Sequence, residues 1–380
     1  MTTNNEPVKG FRDFTGEEAE KRERIREVIV RTFELFGFEP AETPIIEQEE
    51  FVRGENAQDE AVSDVFKLQD KGKRNLALRY EFTFQLKRLM KNKKLPYKRY
   101  QVGPVFRDEP VSSNRLRQFI QCDVDTIGST EKDEAEILVL SNEIMKNLKI
   151  EPIILVNNRA LLNEILEDNK IKEKDKINVL KEIDKYGKLD EKQIRANLKK
   201  MNAEKIIDVL KRDEKYFSRF KSYSSILELI KYCKLYGVKI LFSPTLMRGL
   251  SYYNGNVFEI KAKEVRETLI AGGSYKFEGV QCTGISFGLD RLSLLAKVEN
   301  KKEKILIISL EQDKEAIKLA QKLRNSGAIT FIYYGKPSKA LEYANSYGIE
   351  KVIFIGKDEV KKGKYKIKDM RTGREKEEKF

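Results

Sequence analysis

The sequence contains no histidine, and this absence removes several kinds of catalytic site. Ser-His-Asp and Cys-His nucleophilic centres, imidazole acid–base catalysis and histidine-ligated zinc all require that side chain. Any chemistry must therefore depend on arginine, carboxylates, amides, tyrosines and metal-bound phosphates. Phosphoryl or nucleotidyl transfer fits these groups, because it depends on charge neutralisation and positioning more than on proton transfer.

Cysteine is scarce as well, and Cys122, Cys233 and Cys282 lie far apart in the chain. Without a Cys-x-x-Cys pair, neither a zinc ribbon nor a disulfide framework is indicated, which fits a reducing compartment. The sequence also lacks an apolar run long enough for a membrane span, and its N-terminus lacks a signal-peptide core. We therefore expect a cytoplasmic protein with no membrane association.

The charge balance is strongly positive. The 380 residues include 74 lysines and arginines against 61 acidic residues, a net charge of +13. Such an excess favours a polyanionic partner, first a nucleic acid and second an acidic membrane surface. A generally lysine-rich composition explains the same excess, so the charge does not decide between them. The length allows two or three domains.

Residues 99–128 are predicted to form two strands joined by a polar loop at 108–114. On the second strand the polarity alternates, as it does when the two faces of a sheet differ. A solvated sheet face and a ligand-binding surface both explain the polar positions. The apolar positions are Leu116, Ile120, Cys122 and Val124, and the polar ones are Arg115, Arg117, Gln121, Asp123 and Asp125, interrupted by Phe119.

The rest of the chain shows helix and strand patterns around this pair. Lys/Glu-rich helical segments at about 159–236 indicate a helical insertion, and strands alternating with helices from residue 305 indicate a small, mostly parallel α/β domain. Asn254-Gly255 and Gly272-Gly273 predict tight turns. Further elements are predicted as helices at 17–36, 133–148 and from residue 81, strands at 152–156, and a hairpin at 65–69 and 75–80.

Three arginines stand out because each belongs to a separate segment of unusual polarity: Arg107, Arg248 and Arg291. Arginines that converge on one sheet face repel each other unless carboxylates or a polyanion offset them. A triphosphate with a metal ion would offset them. Taken alone, each segment also has a structural explanation.

Together these segments resemble the class II aminoacyl-tRNA synthetases, and most closely the histidyl-tRNA synthetases. The resemblance covers nearly the whole chain. Class motifs 1, 2 and 3 are matched by residues 36–47 around Pro44, by FRDE at 106–109 with 117–119, and by SFGLDR at 286–291. The family-specific matches are LRYEFT at 78–83, QCDVD at 121–125, RGLSYYNGNVFE at 248–259, and LEYANSYGIEKVIFIG at 341–356.

The resemblance implies an α+β fold, with a class II antiparallel sheet, flanking helices, a helical insertion and a C-terminal α/β anticodon-binding domain. It also implies a homodimer. The expected boundaries are a first part of the catalytic domain at 1–157, the insertion at 158–236, the second part of the catalytic domain at 237–298, and the anticodon-binding domain at 303–380.

The activity implied is ATP-dependent ligation of L-histidine to tRNA(His) through a histidyl-adenylate, with ATP as substrate and Mg²⁺ bridging phosphate oxygens. Arg107 and Arg248 are implied to be catalytic. The implied ATP-binding residues are Arg107, Glu109, Arg115, Phe119 and Arg291.

The implied histidine site divides into two parts. Glu81, Thr83 and Gln121 would hold the ammonium and carboxylate groups, while Asp125 and Tyr253 would hydrogen-bond the imidazole beside Tyr252. A carboxylate and a phenol can satisfy both ring nitrogens. The full implied set is Glu81, Thr83, Arg107, Gln121, Asp125, Arg248, Tyr252 and Tyr253.

Four features depart from the family pattern: Ser251, Ser274, Lys276 and the loop PVSSN at 110–114. Despite these departures, the three arginines Arg107, Arg248 and Arg291 are all present. Two other functions remain open. One is a histidine-sensing regulatory subunit of ATP phosphoribosyltransferase, a paralogue type that usually lacks the anticodon domain. The other is a non-catalytic tRNA-binding protein.

Overall fold

The computed structural model describes residues 5–54, 64–112, 115–187, 189–247, 252–265, 267–298 and 303–380. The chain divides into two compact units, Met1–Val298 and Glu299–Phe380. The strands described in the first unit are β1 (Glu39–Pro40), β2 (Ile46–Gln48), β3 (Lys67–Gln69), β4 (Asn75–Leu78), β5 (Tyr97–Phe106), β6 (Gln118–Ile127), β7 (Pro152–Asn158), β8 (Leu241–Phe242), β9 (Tyr253–Ala262), β10 (Thr268–Phe277) and β11 (Val280–Gly288).

Helices flank these strands. The helices described in the first unit are α1 (Gly16–Leu35), α2 (Glu49–Arg53), α3 (Leu86–Leu89), α4 (Glu131–Asn147), α5 (Arg159–Asp168), α6 (Glu173–Ile183), α7 (Glu191–Lys199), α8 (Ile206–Leu210), α9 (Glu214–Phe217), α10 (Tyr223–Leu235) and α11 (Leu289–Leu295). In the described part of the chain, no helix combines the length and apolar composition that crossing a bilayer needs.

One large sheet organises the first unit. Eight strands pair in the order β1-β5-β6-β11-β10-β9-β7-β8, and β2, β4 and β3 form a separate small sheet. The five central pairings of the large sheet are antiparallel, while β1 pairs with β5 and β7 with β8 in parallel. The predicted α+β fold, with an antiparallel sheet and flanking helices, is confirmed.

The two predicted strands at 99–128 are β5 and β6, which pair along their full length. On β6, Cys122 and Val124 face the main core, as the alternation predicts. The opposite face is not solvated, because Gln121, Asp123 and Asp125 are also buried. Burying three polar side chains in a row requires partners for them, which a solvated face would not need.

Helix α1 covers one face of this sheet. Ile25, Ile29 and Phe33 recur every fourth residue, so they share one side of the helix, and all are fully buried in the main core. Glu17 and Glu18 lie in its first turn, where carboxylates interact favourably with the helix dipole. The sequence therefore fixes both the presence and the buried side of this helix.

Six of the described helices, α5 to α10, lie between β7 and β8 in the chain. Their apolar sides do not form a separate core. Leu161, Leu198 and Ile226 belong to the same buried cluster as Val156 of β7 and Ile260 of β9. The helical segments therefore help to support the sheet from which the candidate site is built.

Two predicted turns are wrong. Asn254-Gly255 lies inside β9, and Gly272-Gly273 lies inside β10. Gly272 and Gly273 pair with Phe258 and Val257 of β9, and Asn254-Gly255 lies at the irregularity between this stretch and the pair Tyr275–Tyr253. At Gly273 an added Cβ would lie 2.6 Å from the carbonyl oxygen of Asn256 and 3.0 Å from the Tyr253 ring. The glycine is therefore explained by close approach of neighbouring groups rather than by a turn.

The segment after residue 81 is less helical than predicted. Its helix, α3, covers only Leu86–Leu89, and Glu81 and Thr83 precede it in an irregular bend. Glu81 accepts a hydrogen bond from the Phe84 backbone N–H at 3.0 Å, which caps this bend. An irregular segment can direct consecutive side chains to one side, as a continuous helix cannot.

The second unit is a five-stranded sheet with helices. Its elements are β12 (Lys304–Ser309), α12 (Asp313–Asn325), β13 (Ile329–Tyr334), α13 (Pro337–Ser346), β14 (Lys351–Ile355), α14 (Lys357–Lys362), β15 (Lys364–Asp369) and β16 (Glu375–Lys379). Strands β13, β12 and β14 are parallel, as predicted. The sequence analysis missed the antiparallel hairpin β15–β16, whose strands are mostly charged and lack apolar alternation.

The close packing of β10 against β11 gives a first prediction. An added Cβ at Gly272 would lie 2.0 Å from the Gly284 carbonyl oxygen, a backbone atom that cannot move alone. Gly272→Ala should therefore lower the free energy of unfolding by about 1–3 kcal/mol or more in chemical denaturation. Gly72→Ala is the matched control, because the atoms nearest to its Cβ would belong to side chains, Asp70 Oδ1 at 3.3 Å and Arg74 Nε at 3.9 Å. Equal stability of the two variants would contradict this packing.

Candidate active site

A cavity of about 750 Å³ lies against the polar face of the large sheet. It is bounded by the ends of β5 and β6, by the irregular segment before α3, by β9 to β11 and by the start of α11. The residues implied by the resemblance that line it are Glu81, Thr83, Arg107, Glu109, Arg115, Phe119, Gln121, Tyr252, Tyr253 and Arg291.

Arg107 is held in place by three neighbours. Its Nε donates to the Tyr80 carbonyl oxygen at 3.1 Å, and its Nη2 donates to Gln121 Oε1 at 3.1 Å. Its guanidinium carbon lies 5.2 Å from the centre of the Phe119 ring, within cation–π range. None of these neighbours is a carboxylate, so the charge of Arg107 remains available for an anionic ligand.

Glu109 and Arg115 form an ion pair across the base of the β5–β6 loop, with 2.5 Å between Glu109 Oε2 and Arg115 Nε. Nearby, the Arg117 backbone N–H donates to the Gly10 carbonyl oxygen at 2.8 Å. This hydrogen bond fixes the N-terminal segment beside the loop. It thereby brings Arg12 and Phe14 to the cavity.

The start of α11 is tied to β6 and α1. Asp290 accepts from Arg22 Nη1 at 2.7 Å and from the Ile120 backbone N–H at 3.1 Å. The next residue, Arg291, lines the cavity from the first turn of the helix, as the sequence predicts. Its Nη1 donates a long hydrogen bond of 3.4 Å to the Thr268 carbonyl oxygen.

Behind the cavity wall, Arg99 is completely buried. Its Nη2 lies 2.7 Å from Asp125 Oδ2 and donates to the Phe82 carbonyl oxygen at 3.0 Å. The other oxygen of Asp125, Oδ1, accepts from the Tyr275 hydroxyl at 2.5 Å. Asp125 itself is 5% exposed and is absent from the described lining of the cavity, whereas Tyr275 belongs to it.

Asp123 completes this buried group. Its Oδ2 accepts from Gln121 Nε2 at 3.1 Å, so hydrogen bonds connect Arg107, Gln121 and Asp123. Burial, together with the negative charge of Asp125, raises the pKa of Asp123 to about 7, although Arg99 opposes the shift. Burial also raises the pKa values of Asp125 and Glu81.

The lining of the cavity is rich in charge. Eight arginine and lysine side chains and six carboxylates belong to its described wall. This excess of cations favours an anionic ligand, as the three arginines of the sequence predict. In the described ranges, Cys, Asp and Glu side chains form no group of three or more that could hold a metal ion by themselves.

Comparisons with known proteins show similarity over nearly the whole chain. The sequence model of the family described as histidyl-tRNA synthetase matches residues 10–292. A Bacillus cereus protein named histidine--tRNA ligase 1 is 33% identical over 97% of this chain and 94% of its own. The chain belongs to the histidyl-tRNA synthetase family. A histidine--tRNA ligase of Wolinella succinogenes is 32% identical over 97% of this chain and 94% of its own.

Solved structures of the family share the fold. Histidyl-tRNA synthetase from Nostoc sp. PCC 7120 superposes with a TM-score of 0.88 at 24% identity, covering 100% of this chain and 97% of its own. A Bacillus halodurans protein described as an ATP phosphoribosyltransferase regulatory subunit/histidyl-tRNA synthetase gives 0.79 at 22% identity, covering 93% and 99%. Residues 302–379 match the sequence model described as an anticodon binding domain.

Not every residue that the resemblance implies can be placed. Arg248 and Ser251 lie outside the described residues, as do Ser113 and Asn114 of the β5–β6 loop. Asp125 is placed, but behind the wall rather than on it. The remaining implied residues line one cavity, although they come from four segments of the chain.

Several lining residues were not predicted from the sequence. Arg12, Phe14 and Arg22 belong to the N-terminal part of the chain, and Phe51 and Arg53 belong to α2. Arg12 and Phe14 belong to the basic-aromatic segment KGFRDF at 9–14, which is a sequence signal for these two residues. Arg22 lies with its guanidinium carbon 3.8 Å from the centre of the Phe14 ring, a contact that sequence alone cannot predict.

Two departures from the family pattern have distinct positions. Ser274 is buried and donates a hydrogen bond to Glu134 of α4, whose other oxygen accepts from Asn256 Nδ2 at 2.6 Å. Burial raises the pKa of Glu134 to about 7, against the effect of these two donors. Lys276 lines the cavity. Ser274 therefore belongs to the support of the sheet, while Lys276 can meet a ligand.

The raised pKa of Asp123 predicts a pH-dependent stability. An acid whose pKa is higher when folded binds more protons folded than unfolded, so stability falls as pH rises from about 4 to about 7. In the variant Asp123→Asn, the side chain at position 123 cannot ionise, but its amide oxygen can still accept the hydrogen bond from Gln121 Nε2. In urea denaturation, the stability of the variant relative to wild type should therefore rise across this pH range. A difference that is independent of pH would contradict the raised pKa.

Proposed function

We propose that this chain is a histidine–tRNA ligase that activates L-histidine with ATP and transfers it to tRNA(His). Membership of the family and the cavity together support this function. The observation that carries it is the position of Arg107, which has hydrogen-bond acceptors and an aromatic ring around it and forms no ion pair with a carboxylate among the described residues. Such a guanidinium can hold a phosphate or a carboxylate in bidentate geometry.

In the first step, a carboxylate oxygen of histidine attacks the α-phosphorus of ATP, and pyrophosphate leaves. Arg107 orients the carboxylate and neutralises charge on the α-phosphate. Arg248 is proposed to act with Arg107 in the transition state. In the second step, a hydroxyl of the terminal tRNA ribose attacks the histidyl carbonyl, AMP leaves and the hydroxyl proton is released.

The ATP end of the cavity lies near α11 and the β5–β6 loop. Arg291 is proposed to bind the γ-phosphate and Phe119 to stack on the adenine ring, with Glu109 and Arg115 beside them. Mg²⁺ is normally held by one or two carboxylates together with substrate phosphates. Glu109 on the cavity wall is a carboxylate of this kind. It would hold Mg²⁺ together with the substrate phosphates, so the protein need not supply all the ligands. When bound, Mg²⁺ neutralises charge on the phosphates.

The histidine end is proposed to lie between the irregular segment before α3 and β9. Glu81 and Thr83 are proposed to bind the ammonium group, and Gln121 is placed to help Arg107 with the carboxylate. The imidazole would occupy the end where Tyr252, Tyr253 and the buried Asp125 meet. A site that hydrogen-bonds polar atoms of its substrate rejects analogues that lack them.

A regulatory subunit is the second candidate, because one structural neighbour carries that description together with a synthetase one. The cavity arginines and the match to an anticodon-binding domain favour the ligase. The second unit would then bind the anticodon of the tRNA.

We further propose a cytoplasmic location, which fits three buried cysteines that are all free thiols.

Histidine-dependent exchange of pyrophosphate into ATP tests the activity. Wild-type protein should catalyse exchange, and Arg107→Ala should lower kcat/KM by a hundredfold or more, the magnitude of a lost transition-state contact. Arg371→Ala is a control, because this exposed arginine belongs to the second unit and pairs with Glu350. No exchange by folded wild-type protein would refute the ligase and favour the regulatory subunit.

We also propose a homodimer formed through residues 36–47. Ile45 and Ile46 are 41% and 51% exposed in the single chain, and Ile46 begins β2 of the small sheet. Ile45→Asp would place a charge in an apolar contact, so sedimentation should shift from dimer towards monomer. Leu235→Asp is the control, because this exposed leucine ends α10. A monomeric wild-type protein would contradict the proposal.

A further inference from the structure

The proposed ATP end of the cavity combines paired and unpaired charges. Three carboxylates on its wall each contact an arginine, so the wall is close to neutral where they lie. In the described part of the chain, neither Arg107 nor Arg291 forms an ion pair, and their positive charges are left for a ligand. The pairs are Arg12 with Glu18, Arg115 with Glu109 and Arg22 with Asp290, with 2.6, 2.5 and 2.7 Å between the respective nitrogen and oxygen atoms.

The pair of Arg22 and Asp290 is the most enclosed of the three. The Arg22 side chain is 13% exposed, against 55% for Arg12 and 53% for Arg115. Asp290 uses its other oxygen, Oδ2, to accept from the Ile120 backbone N–H at 3.1 Å. This carboxylate therefore joins the start of α11 to both α1 and β6, and both members of the pair line the cavity.

Phe14 fixes the position of Arg22. The guanidinium carbon of Arg22 lies 3.8 Å from the centre of the Phe14 ring, within cation–π range. The N-terminal segment, residues 8–14, is held in turn by Gly10, whose carbonyl oxygen accepts from the Arg117 backbone N–H at 2.8 Å. A Cβ at Gly10 would lie 2.7 Å from Arg117 Cγ, so the segment lies directly against the start of β6.

Asp290 would weaken nucleotide binding if its charge were not neutralised. It precedes Arg291, which is proposed to bind the γ-phosphate, and it lines the same cavity. A carboxylate at this position repels the negative charges of a triphosphate, and the repulsion is stronger in a partly enclosed cavity than in water. The Ile120 backbone N–H nevertheless uses this carboxylate as its acceptor. An arginine beside Asp290 keeps the acceptor and removes the repulsion.

We propose that Arg22 is a positioning residue for ATP binding, which neutralises Asp290 so that α11 is tied to β6 without a net negative charge beside Arg291. The inference rests on the proposed ligase function. Phe14 and the N-terminal segment belong to the ATP site in this arrangement, because they hold Arg22 against Asp290. Arg22 acts through Asp290 and needs no contact with the nucleotide.

The first test is Arg22→Met, which removes the charge and keeps an apolar side chain of similar length against Phe14. The Kd of ATP, measured by calorimetry on the full chain without histidine, should rise about fivefold or more. In histidine-dependent exchange, KM for ATP should rise to a similar extent, while KM for histidine stays within about twofold. An unchanged Kd for ATP would overturn the inference.

The double variant Arg22→Met/Asp290→Asn separates electrostatic from structural support. Its amide oxygen at position 290 can still accept from the Ile120 backbone N–H, but no unpaired carboxylate remains. The double variant should therefore bind ATP at least about threefold more tightly than Arg22→Met does. If the pair only holds α1 against α11, removing its second member cannot restore ATP binding. A double variant that binds ATP no more tightly than Arg22→Met would contradict the inference.

Lys98→Met is the matched control. Lys98 of β5 also forms a partly buried ion pair, with Glu136 of α4, and its side chain is 22% exposed. Its Nζ lies 5.4 Å from the centre of the Phe38 ring, so it has an aromatic neighbour as well. Neither Lys98 nor Glu136 belongs to the described lining of the cavity.

In the Lys98→Met variant, the Kd of ATP should stay within about twofold of the wild-type value, because the carboxylate left unpaired lies away from the triphosphate. An increase in Kd equal to that of Arg22→Met would show a general effect of leaving a carboxylate unpaired, and the inference would fail.

Measuring ATP binding keeps this inference separate from the ligase function. Wild-type protein that binds ATP but exchanges no pyrophosphate would refute the ligase, while the Kd values of the variants would still decide the role of Arg22. Wild-type protein that does not bind ATP would overturn both.

Discussion

The buried ion pair between Arg99 and Asp125 is the constraint on which the site depends. A guanidinium with no solvent exposure is stable only if carboxylates and carbonyls surround it closely. The register of β5 and β6 places Arg99 opposite Asp125, so the pairing of the two strands and the pairing of the two charges support each other. A shift of one residue would separate them and turn both side chains to the other face.

From this pair, polar contacts extend to the cavity in two directions. In one direction, Asp125 accepts from the Tyr275 hydroxyl, and in the other, Gln121 links Asp123 to Arg107. Hydrogen bonds of this kind fix the orientation of side chains before a ligand arrives. A preorganised set of donors and charges is what stabilises a transition state without reorganisation.

The outer side of the sheet supplies a second kind of support. Glu134 of α4 is buried beneath Ser274 and Asn256, and Ser225 of α10 accepts from Asn256 at 3.0 Å and donates to Glu131 of α4 at 3.1 Å. This cluster joins the helical segments to β9 and β10. The helices between β7 and β8 are therefore part of the structure that holds the tyrosine end of the cavity.

The sequence by itself determined the strands β5 and β6, helix α1 and the position of Arg291 in the first turn of α11, while the α+β fold was implied by the resemblance. Periodicity and helix-ending residues are local signals, and for these elements the local preference agrees with the tertiary structure. Resemblance to a family then named ten of the residues that line the cavity, including Arg107, Glu109 and Gln121.

Only the tertiary structure decided the rest. Glycine pairs that predict turns lie within β9 and β10, because neighbouring strands approach too closely for a side chain at Gly272 and Gly273. Alternation on β6 distinguished its two faces but did not show that both are buried, since burial depends on what packs against a strand. The placement of Tyr275 in front of Asp125 likewise depends on strands distant in sequence, and no local pattern encodes it.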